Sequence, residues 1–519
     1  MSRTANLIKN TIYGVAGKMA NLLVSFISRT VFIYYLGDTF LGINGLYTEV
    51  LSVLSFAELG FGSALLYAMY APIAQKDNTK TVQLLDFYKR VYRIIAAVIA
   101  VLGVSLIPFL QYIVKGAEGI TLIQLRLYYC IFLFNTVVNY FVSYKYSYVN
   151  AQQQNYIVTT FDSVVNIVSI LLQITVILLF RNFLVYLLTQ STVLLLSRIV
   201  VALYLNKRFP VLKERPQQPL PKEARNGIFR EVKALAVHQF ASAAVHSTDN
   251  IIISSMTGMG VVAVGLVSNY NLIINNVTSL VTVFLNNSAF GFGNLATEND
   301  SESFRKAFRE MTFLVFWIYG FCCIAFFVLI PPFITLWIGA DKLIDSMSLL
   351  LIVLNCFLLG HATLYNSARV AKGNFGKDKW ISFVQAIVNL VVSIMAARAY
   401  GLLGVYIGTV VSRVVVTIMR PSATYRFLFG RAATEYYAQL LIYISATVLI
   451  GLPTHLLCGA IMQEVTILRF VISMGVVSIV PNLGFALFFI RSWEMKNMIA
   501  RICTLINRGE SENGKKSTG

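Results

Sequence analysis

Runs of about 18 or more mostly apolar residues recur along the whole length of this 519-residue chain. An α-helix needs ~20 apolar residues to cross the hydrocarbon core of a bilayer, so each run predicts a membrane-spanning helix. Charged residues are correspondingly few, at 13%, where a soluble domain carries roughly 25%. We therefore predict an all-α polytopic membrane protein with about 14 transmembrane helices, which excludes a soluble enzyme, a secreted disulfide scaffold and a disordered chain. In chain order, the predicted spans 1 to 14 are 11–36, 42–70, 93–114, 124–149, 156–180, 183–205, 233–256, 261–288, 311–337, 344–368, 380–398, 402–425, 437–459 and 467–490.

The positive charges lie mainly on one side of these predicted spans. Lys and Arg outnumber Asp and Glu by 42 to 23, for a net charge of +19. With the N-terminus in the cytoplasm, 32 of the 42 fall in cytoplasmic segments, 6 in outer connections and 4 within spans. Cytoplasmic loops of membrane proteins are enriched in Lys and Arg, so we predict a bacterial inner-membrane protein with both termini in the cytoplasm. Topology explains the basic balance, and nucleic acid is not an expected partner.

Short segments recur at similar offsets in the two halves of the chain. Ser-Arg at 197–198 in span 6 recurs at 412–413 in span 12, and Val-Asn at 165–166 in span 5 recurs at 388–389 in span 11. Six helices per repeat is an even number, so the halves keep one orientation, as in parallel-repeat transporters. We predict two six-helix lobes plus two extra C-terminal helices. The predicted domains are an N-lobe at 1–205, a basic cytoplasmic linker at 206–232, a C-lobe at 233–427, helices 13 and 14 at 428–490, and a basic cytoplasmic tail at 491–519.

Ionisable side chains share one face of several predicted spans. Lys18 and Arg29 in span 1 are eleven residues apart, hence ~20° apart around a helix axis. His238, His246 and Asp249 share one face of span 7. Ionisable groups within a membrane are costly and usually line a cavity. The pattern therefore predicts a water-filled cavity between the lobes, lined largely by spans 1, 7 and 8.

Other polar positions have a second interpretation. The stripe that begins at Asp162 in span 5 fits either a cavity or hydrogen bonds between packed helices. Arg198 and Arg413 are near enough to the cytoplasmic surface for their guanidinium groups to reach it. We take as candidate substrate-binding residues Lys18, Asn21, Ser25, Arg29, Arg198, Asn275, Ser279 and Arg413. The candidates for coupling transport to an ion gradient are Glu58, Asp162, His238, His246 and Asp249.

Several kinds of chemistry lack a recognisable motif in this sequence. The six cysteines show neither paired spacing nor clustering with histidine, so we expect neither disulfides nor a metal site. No phosphate-binding loop and no nucleophile elbow occurs. We therefore predict no catalytic residue and no cofactor, and a secondary transporter rather than an enzyme.

Three segments resemble a known family of membrane proteins. Residues 36–47 and 54–62 read LGDTFLGINGLY and LSFAELGFG, and residues 400–409 read YGLLGVYIGT. The first pair resembles the first hairpin of polysaccharide-transport (Wzx-type) flippases, and the third segment resembles the connection between helices 11 and 12 of the same family. Together with fourteen predicted helices in a 6+6+2 arrangement, the likeness extends over nearly the whole chain. It implies membership of the multidrug/oligosaccharidyl-lipid/polysaccharide exporter superfamily.

The resemblance implies a function and a set of partners. Members of this family move undecaprenyl-pyrophosphate-linked oligosaccharide repeat units to the outer leaflet for capsule, O-antigen or related glycans. The implied partners are the lipid-linked oligosaccharide, membrane lipids, H⁺ or Na⁺ as coupling ion, and the polymerase and glycosyltransferases of the pathway. Two alternatives stay open at this point: an ion-coupled multidrug exporter of the same superfamily, and a membrane glycosyltransferase or polysaccharide polymerase.

Overall fold

The structure, a computed structural model of the chain, describes residues 3–58, 60–233, 248–297, 301–371 and 379–500, with backbone alone at 3–18, 283–297 and 366–371. All regular secondary structure in these residues is helical. Residues 222–233 and 493–500 are also helical. In chain order the remaining α-helices are α1 (Arg3–Leu54), α2 (Phe61–Ala74), α3 (Asn78–Leu106), α4 (Leu110–Ile113), α5 (Leu122–Ala151), α6 (Asn155–Phe180), α7 (Phe183–Arg208), α8 (Asp249–Met256), α9 (Val261–Thr297), α10 (Ser301–Ile338), α11 (Ser346–Ala371), α12 (Lys379–Tyr400), α13 (Leu402–Phe429), α14 (Thr434–Ile461) and α15 (Ile467–Phe489).

The predicted spans coincide with helices over most of the described chain. Within that part, 10 helices are long and apolar enough to cross a membrane, which confirms an all-helical, multi-pass membrane protein. The count of fourteen stays a prediction, because most of span 7 lies outside the described residues. Spans 1 and 2 run together as α1, which is broken only at Gly37 (φ 84°, ψ 176°). Glycine adopts this positive φ without the steric cost that a side chain would add.

The prediction of one continuous helix over 42–70 is wrong at Glu58. There α1 has already ended at Leu54, a 3₁₀ turn covers Ser55–Glu58, and α2 begins only at Phe61. Gly60, directly before α2, has a φ of 85° in the left-handed region, so α2 starts as a separate helix. Hydropathy measures how apolar such a segment is, and it does not reveal a single residue with a left-handed backbone conformation.

The chain divides into two compact units. Unit 1 comprises Met1–Asn269 with Ser393–Val405, and unit 2 comprises Tyr270–Val392 with Tyr406–Gly519. The boundaries between units fall inside α9, α12 and α13 rather than in the basic linker at 206–232. The lobe boundaries predicted from the repeat stay a prediction.

In unit 1, helices α5, α6 and α7 pack through β-branched and aliphatic side chains. Val142, Val149, Val158, Val201 and Leu205 form one buried cluster. Burying such side chains is worth roughly 1.5–3 kcal/mol each relative to exposure in water. In a bilayer the gain comes instead from close packing of the helices. This cluster fixes the three helices that carry most of the polar residues described below.

Unit 2 is centred on aromatic side chains of α10, α14 and α15. Phe316 stacks on Tyr443 with ring centroids 4.2 Å apart, and Phe485 meets Phe316 edge-on at 5.1 Å. At one end of these helices, Arg305 and Arg309 each form an ion pair of 2.8 Å with Glu435. Arg309 also pairs with Glu494 of the 493–500 helix. These ion pairs fix the start of α10, the start of α14 and the terminal helix to one another.

The same arginine–asparagine contact occurs once in each unit. In unit 1, Nε of Arg198 donates to Oδ1 of Asn139 at 2.9 Å. In unit 2, Nε of Arg413 donates to Oδ1 of Asn355 at 3.1 Å. Arg198 and Arg413 are the arginines of the repeated Ser-Arg pair, so the recurrence supports the predicted internal repeat.

Gly404 allows the first turn of α13 to lie directly against the end of α12. A Cβ atom at this position would lie 2.1 Å from the carbonyl oxygen of Ala396. We expect Gly404→Ala to destabilise the protein by about 1–3 kcal/mol, as for other overpacked positions. Thermal unfolding of the purified protein in detergent measures this as a lower Tm.

Gly459→Ala in α14 is the matched control, since nothing lies within 4 Å of a Cβ atom there. Equal Tm values for the two variants would contradict the close approach of α12 and α13.

Candidate functional site

A cavity of about 900 Å³ lies within unit 1, enclosed by α1, α5, α6 and α7. Its polar walls consist mostly of uncharged amides and hydroxyls. The apolar residues in the wall are Leu51, Phe132, Val165, Val193 and Leu194. The polar residues are Asn21, Asn44, Thr48, Ser52, Ser55, Asn135, Thr136, Asn139, Thr159, Asp162, Ser163, Asn166, Ser169, Gln190 and Arg198.

The two charged residues of the cavity wall neutralise each other. Nη1 of Arg198 lies 2.8 Å from Oδ1 of Asp162. The hydroxyl of Tyr146 donates to the same Asp162 oxygen at 3.1 Å and accepts from Nη1 of Arg198 at 2.6 Å. Nε of Arg198 also donates to Oδ1 of Asn139, so groups from both α5 and α6 bind the guanidinium. The position of Arg198 is therefore set by three partners, and the cavity carries no net charge from this pair.

Two amide oxygens of the wall have no hydrogen-bond donor in the described part of the chain. They are Oδ1 of Asn135 on α5 and Oε1 of Gln190 on α7. By contrast, Nδ2 of Asn166 donates to Oδ1 of Asn21 at 2.9 Å, which joins α6 to α1. Both oxygens are buried within the wall, so in this conformation neither is open to the cavity.

The cavity has the dimensions and the chemistry of a site for a polar molecule. Small-molecule sites in proteins typically enclose roughly 300–1,000 Å³. Amides both donate and accept, and hydroxyls do the same, so this wall can pair with many hydroxyl groups of a ligand. The wall can therefore bind hydroxyl groups of a ligand, although most of its exposed surface is apolar.

Three of the predicted site residues lie together in this cavity. Asn21, Asp162 and Arg198 all contribute to its wall. Arg198 pairs with Asp162 at 2.8 Å. In the stripe on α6, Asp162 and Asn166 both line the cavity and both bond to neighbouring helices. The roles of these residues in binding stay predictions.

The stripe on α12, its predicted repeat, is instead buried in packing. Asn389 and Ser393 are fully buried. Nδ2 of Asn389 donates to Oγ1 of Thr409 at 3.3 Å, and Oγ of Ser393 donates to the carbonyl of Val405 at 3.2 Å. Hydrogen bonds between helices account for these residues.

The remaining predicted residues of unit 1 lie outside the cavity wall. Nη1 of Arg29 donates to Oγ of Ser268 at 2.8 Å, and Ser25 is half-buried on the same helix. Glu58 accepts from the Tyr92 hydroxyl at 3.2 Å. Asp249 begins α8. Lys18 belongs to α1 with its side chain outside the described atoms, and His238 and His246 lie outside the described residues.

In unit 2 the predicted residues are dispersed. Arg413 is buried and bonded to Asn355. Oγ of Ser279 donates to the carbonyl of Asn276 in its own helix, and Asn275 is exposed. Their roles in binding stay predictions.

Sequence analysis missed part of the cavity wall. The wall was expected mainly on spans 1, 7 and 8, whereas the described cavity uses α1, α5, α6 and α7. Asn135 and Asn139 are four residues apart on α5, and Asn44, Thr48 and Ser52 repeat the same spacing on α1. This i, i+4 spacing of amides and hydroxyls was available in the sequence, but it contains no ionisable group and was given no weight.

Comparison with known proteins identifies the fold. No protein-family model matches the sequence, and no curated protein matches it. The lipid II flippase MurJ in an inward closed conformation superposes with a TM-score of 0.65 at 13% identity, covering 92% of this chain and 99% of MurJ. An inward-facing multidrug resistance MATE transporter of the MOP superfamily gives 0.62 at 15% identity, covering 80% and 98%. A variant of the Vibrio cholerae MATE transporter VcmN gives 0.56 at 16% identity, covering 83% and 98%.

At these identities the likeness establishes the fold alone. The chain has the fold of MurJ and the MATE transporters. The finer prediction, the polysaccharide-transport branch, stays a prediction.

Replacing either member of the Arg198–Asp162 pair leaves the other charge without its partner. We expect Asp162→Asn and Arg198→Gln each to lower Tm in detergent, and the double variant to lower it by less than the sum. The Asp162 side chain is 39% exposed, so solvent screens the pair and the coupling free energy is about 1 kcal/mol. Strictly additive effects would contradict a direct ion pair.

Proposed function

We propose that the protein is a flippase of the bacterial cytoplasmic membrane. It moves undecaprenyl-pyrophosphate-linked oligosaccharide repeat units from the inner to the outer leaflet for capsule, O-antigen or related surface polysaccharide. The observation that carries this proposal is the unit 1 cavity, whose wall of amides and hydroxyls suits sugar hydroxyl groups. The 99% coverage of the MurJ lipid II flippase and the Wzx-type hairpin at 36–62 give independent support.

The cations assigned by sequence analysis would bind the charged part of this substrate. Coulomb attraction between a guanidinium and a pyrophosphate is weakly screened where the dielectric constant is low. Arginine also presents a planar fork of donors that suits phosphate oxygens. Arg29 and Lys18 on α1 are the candidates for the pyrophosphate, together with Arg198 and Arg413, while Asn21, Ser25, Asn275 and Ser279 would contact sugars.

Transport follows an alternating-access cycle in this proposal, driven by H⁺ or Na⁺. Asp162 is the coupling candidate with the most direct link to the cavity. An ion that binds Asp162 would compete with Arg198 for the carboxylate and leave Arg198 available to an acidic group of the substrate. Glu58, Asp249, His238 and His246 remain candidates for the same role.

A multidrug exporter is the second candidate, favoured by the MATE transporter superposition at a TM-score of 0.62. Drug cations are bound by aromatic faces and unpaired acids. The unit 1 cavity has one aromatic residue, Phe132, and its one acid is paired with Arg198. This composition favours the glycan substrate over an organic cation.

Cells that lack the protein test the proposal directly. We expect complete lipid-linked repeat units to accumulate on the cytoplasmic side and the surface polymer to be lost. Repeat units that reach the outer leaflet normally would contradict a flippase. In that case, outer-leaflet units left unpolymerised would indicate a polymerase, and an intact glycan with altered drug sensitivity would indicate an exporter.

Complementation of the same cells with cavity variants tests the site. Asn135→Leu and Gln190→Leu each replace an amide residue of the cavity wall with an apolar one. We expect surface glycan to fall about 5- to 10-fold, the effect of one lost hydrogen bond to a ligand. Thr192→Val is the matched control, because Thr192 is exposed and bonds only to the Leu188 carbonyl of its own helix. Protein abundance in the membrane must be equal in all three strains. Full complementation by both cavity variants would contradict a role of the cavity in transport.

A further inference from the structure

Gly42 of α1 and Gly265 of α9 lie where two helix backbones touch. A Cβ atom at Gly42 would be 1.7 Å from the carbonyl oxygen of Val261 and 3.2 Å from the amide nitrogen of Gly265. A Cβ atom at Gly265 would be 2.4 Å from the carbonyl oxygen of Asp38. Neither position has room for a methyl group, so the contact exists only because both residues are glycine.

A second pair of glycines forms a similar contact nearby. A Cβ atom at Gly260 would be 2.2 Å from the carbonyl oxygen of Lys115, and one at Gly116 would be 2.9 Å from that of Met259. Both glycines have positive φ, at 55° and 70°. The amide of Val261 donates to the Lys115 carbonyl at 2.8 Å, so the two loops are joined backbone to backbone.

Two hydrogen bonds extend the same junction along α8. Oγ of Ser254 donates to the carbonyl of Ile113 at 2.7 Å. The backbone amide of Asn250 donates to Oε2 of Glu49 at 3.1 Å. Residues 38–49 and 113–116 thus contact residues 250–265 at several separate points.

On the 250–265 side of the junction, apolar side chains pack in a buried cluster. Ile252, Ile253 and Val264 pack with Ala397 and Val405 in one buried cluster. This segment therefore packs against the end of α12 and the start of α13.

The place of the junction in the predicted topology indicates a role in transport. It joins the first predicted repeat to the second at the connection 115–123, which the charge asymmetry places outside. At Gly42 and Gly265 the two backbones meet with no side chain between them, while Ile43, Leu46 and Val264 are buried beside the contact. A contact of this kind can close tightly and still open during each transport cycle.

We propose that these contacts, centred on Gly42–Gly265 and Gly116–Gly260, form the outer gate of the transport cycle, with the gate closed in this structure. This proposal rests on the proposed transport function. The closed contact between the two backbones can nevertheless be tested without any substrate. Gly42 and Gly265 are positioning residues, which act by permitting the closed conformation.

Accessibility of a cysteine at Ser254 tests whether the glycines keep the gate closed. The Ser254 side chain is fully buried in the junction. In a background without the six native cysteines, we expect Ser254→Cys to react poorly with a membrane-impermeant maleimide, and several-fold faster when Gly265→Ala is added. Gly258→Ala is the matched control, since nothing lies within 4 Å of a Cβ atom there. Equal labelling with Gly265→Ala and with Gly258→Ala would overturn the gate.

Cross-linking tests whether the gate has to open. A Cβ atom at Gly45 would lie 3.3 Å from Cγ1 of Val264, so Gly45→Cys with Val264→Cys can form a disulfide with little backbone movement. We expect the oxidised pair to stop surface-glycan production and reduction to restore it, while each single variant stays active under oxidant. Continued production by fully cross-linked protein would overturn the gate. If the maleimide result holds but cells lacking the protein export glycan normally, the gate stands and the proposed function fails.

Discussion

The cavity of unit 1 depends on the neutralisation of Arg198 by Asp162. An uncompensated guanidinium or carboxylate at membrane depth is costly, and here each satisfies the other at 2.8 Å. Tyr146 and Asn139 complete the donors and acceptors around the pair. Because the charges cancel, the rest of the wall can consist of amides and hydroxyls without a net electrostatic field. That balance makes the site suitable for a hydroxyl-rich ligand.

In the proposed gate, the transport path is closed where glycine backbones touch. Glycine backbones approach more closely than any other residue allows. On one side of the junction, Ile252 and Val264 belong to a buried apolar cluster. A cavity with polar groups in its wall and a close backbone contact both lie within unit 1. An alternating-access transporter needs two such parts: a place to hold a polar headgroup and a contact that can open.

The sequence predicted the helices well and the cavity in part. Apolar runs locate the spans because hydrophobicity over ~20 residues is a collective property. The break between Glu58 and Phe61 was missed, because it depends on the φ of Gly60. Asp162 and Arg198 were recognised as candidates because a charge within a span is conspicuous. Asn135 and Gln190 were missed, since a single amide within an apolar helix is as common in packing as in binding. The pairing of Arg198 with Asp162 involves α6 and α7, and spacing within one helix cannot reveal it.

The most direct test of this account is transbilayer movement of its substrate by the purified protein. The protein is reconstituted into liposomes that contain lipid-linked oligosaccharide extracted from cells lacking it, and the fraction accessible to a membrane-impermeant reagent is followed over time. The account predicts that wild-type protein moves the lipid between leaflets, that Gln190→Leu does so more slowly, and that protein-free liposomes do not. Movement no faster than in protein-free liposomes, with folded protein present, would contradict it.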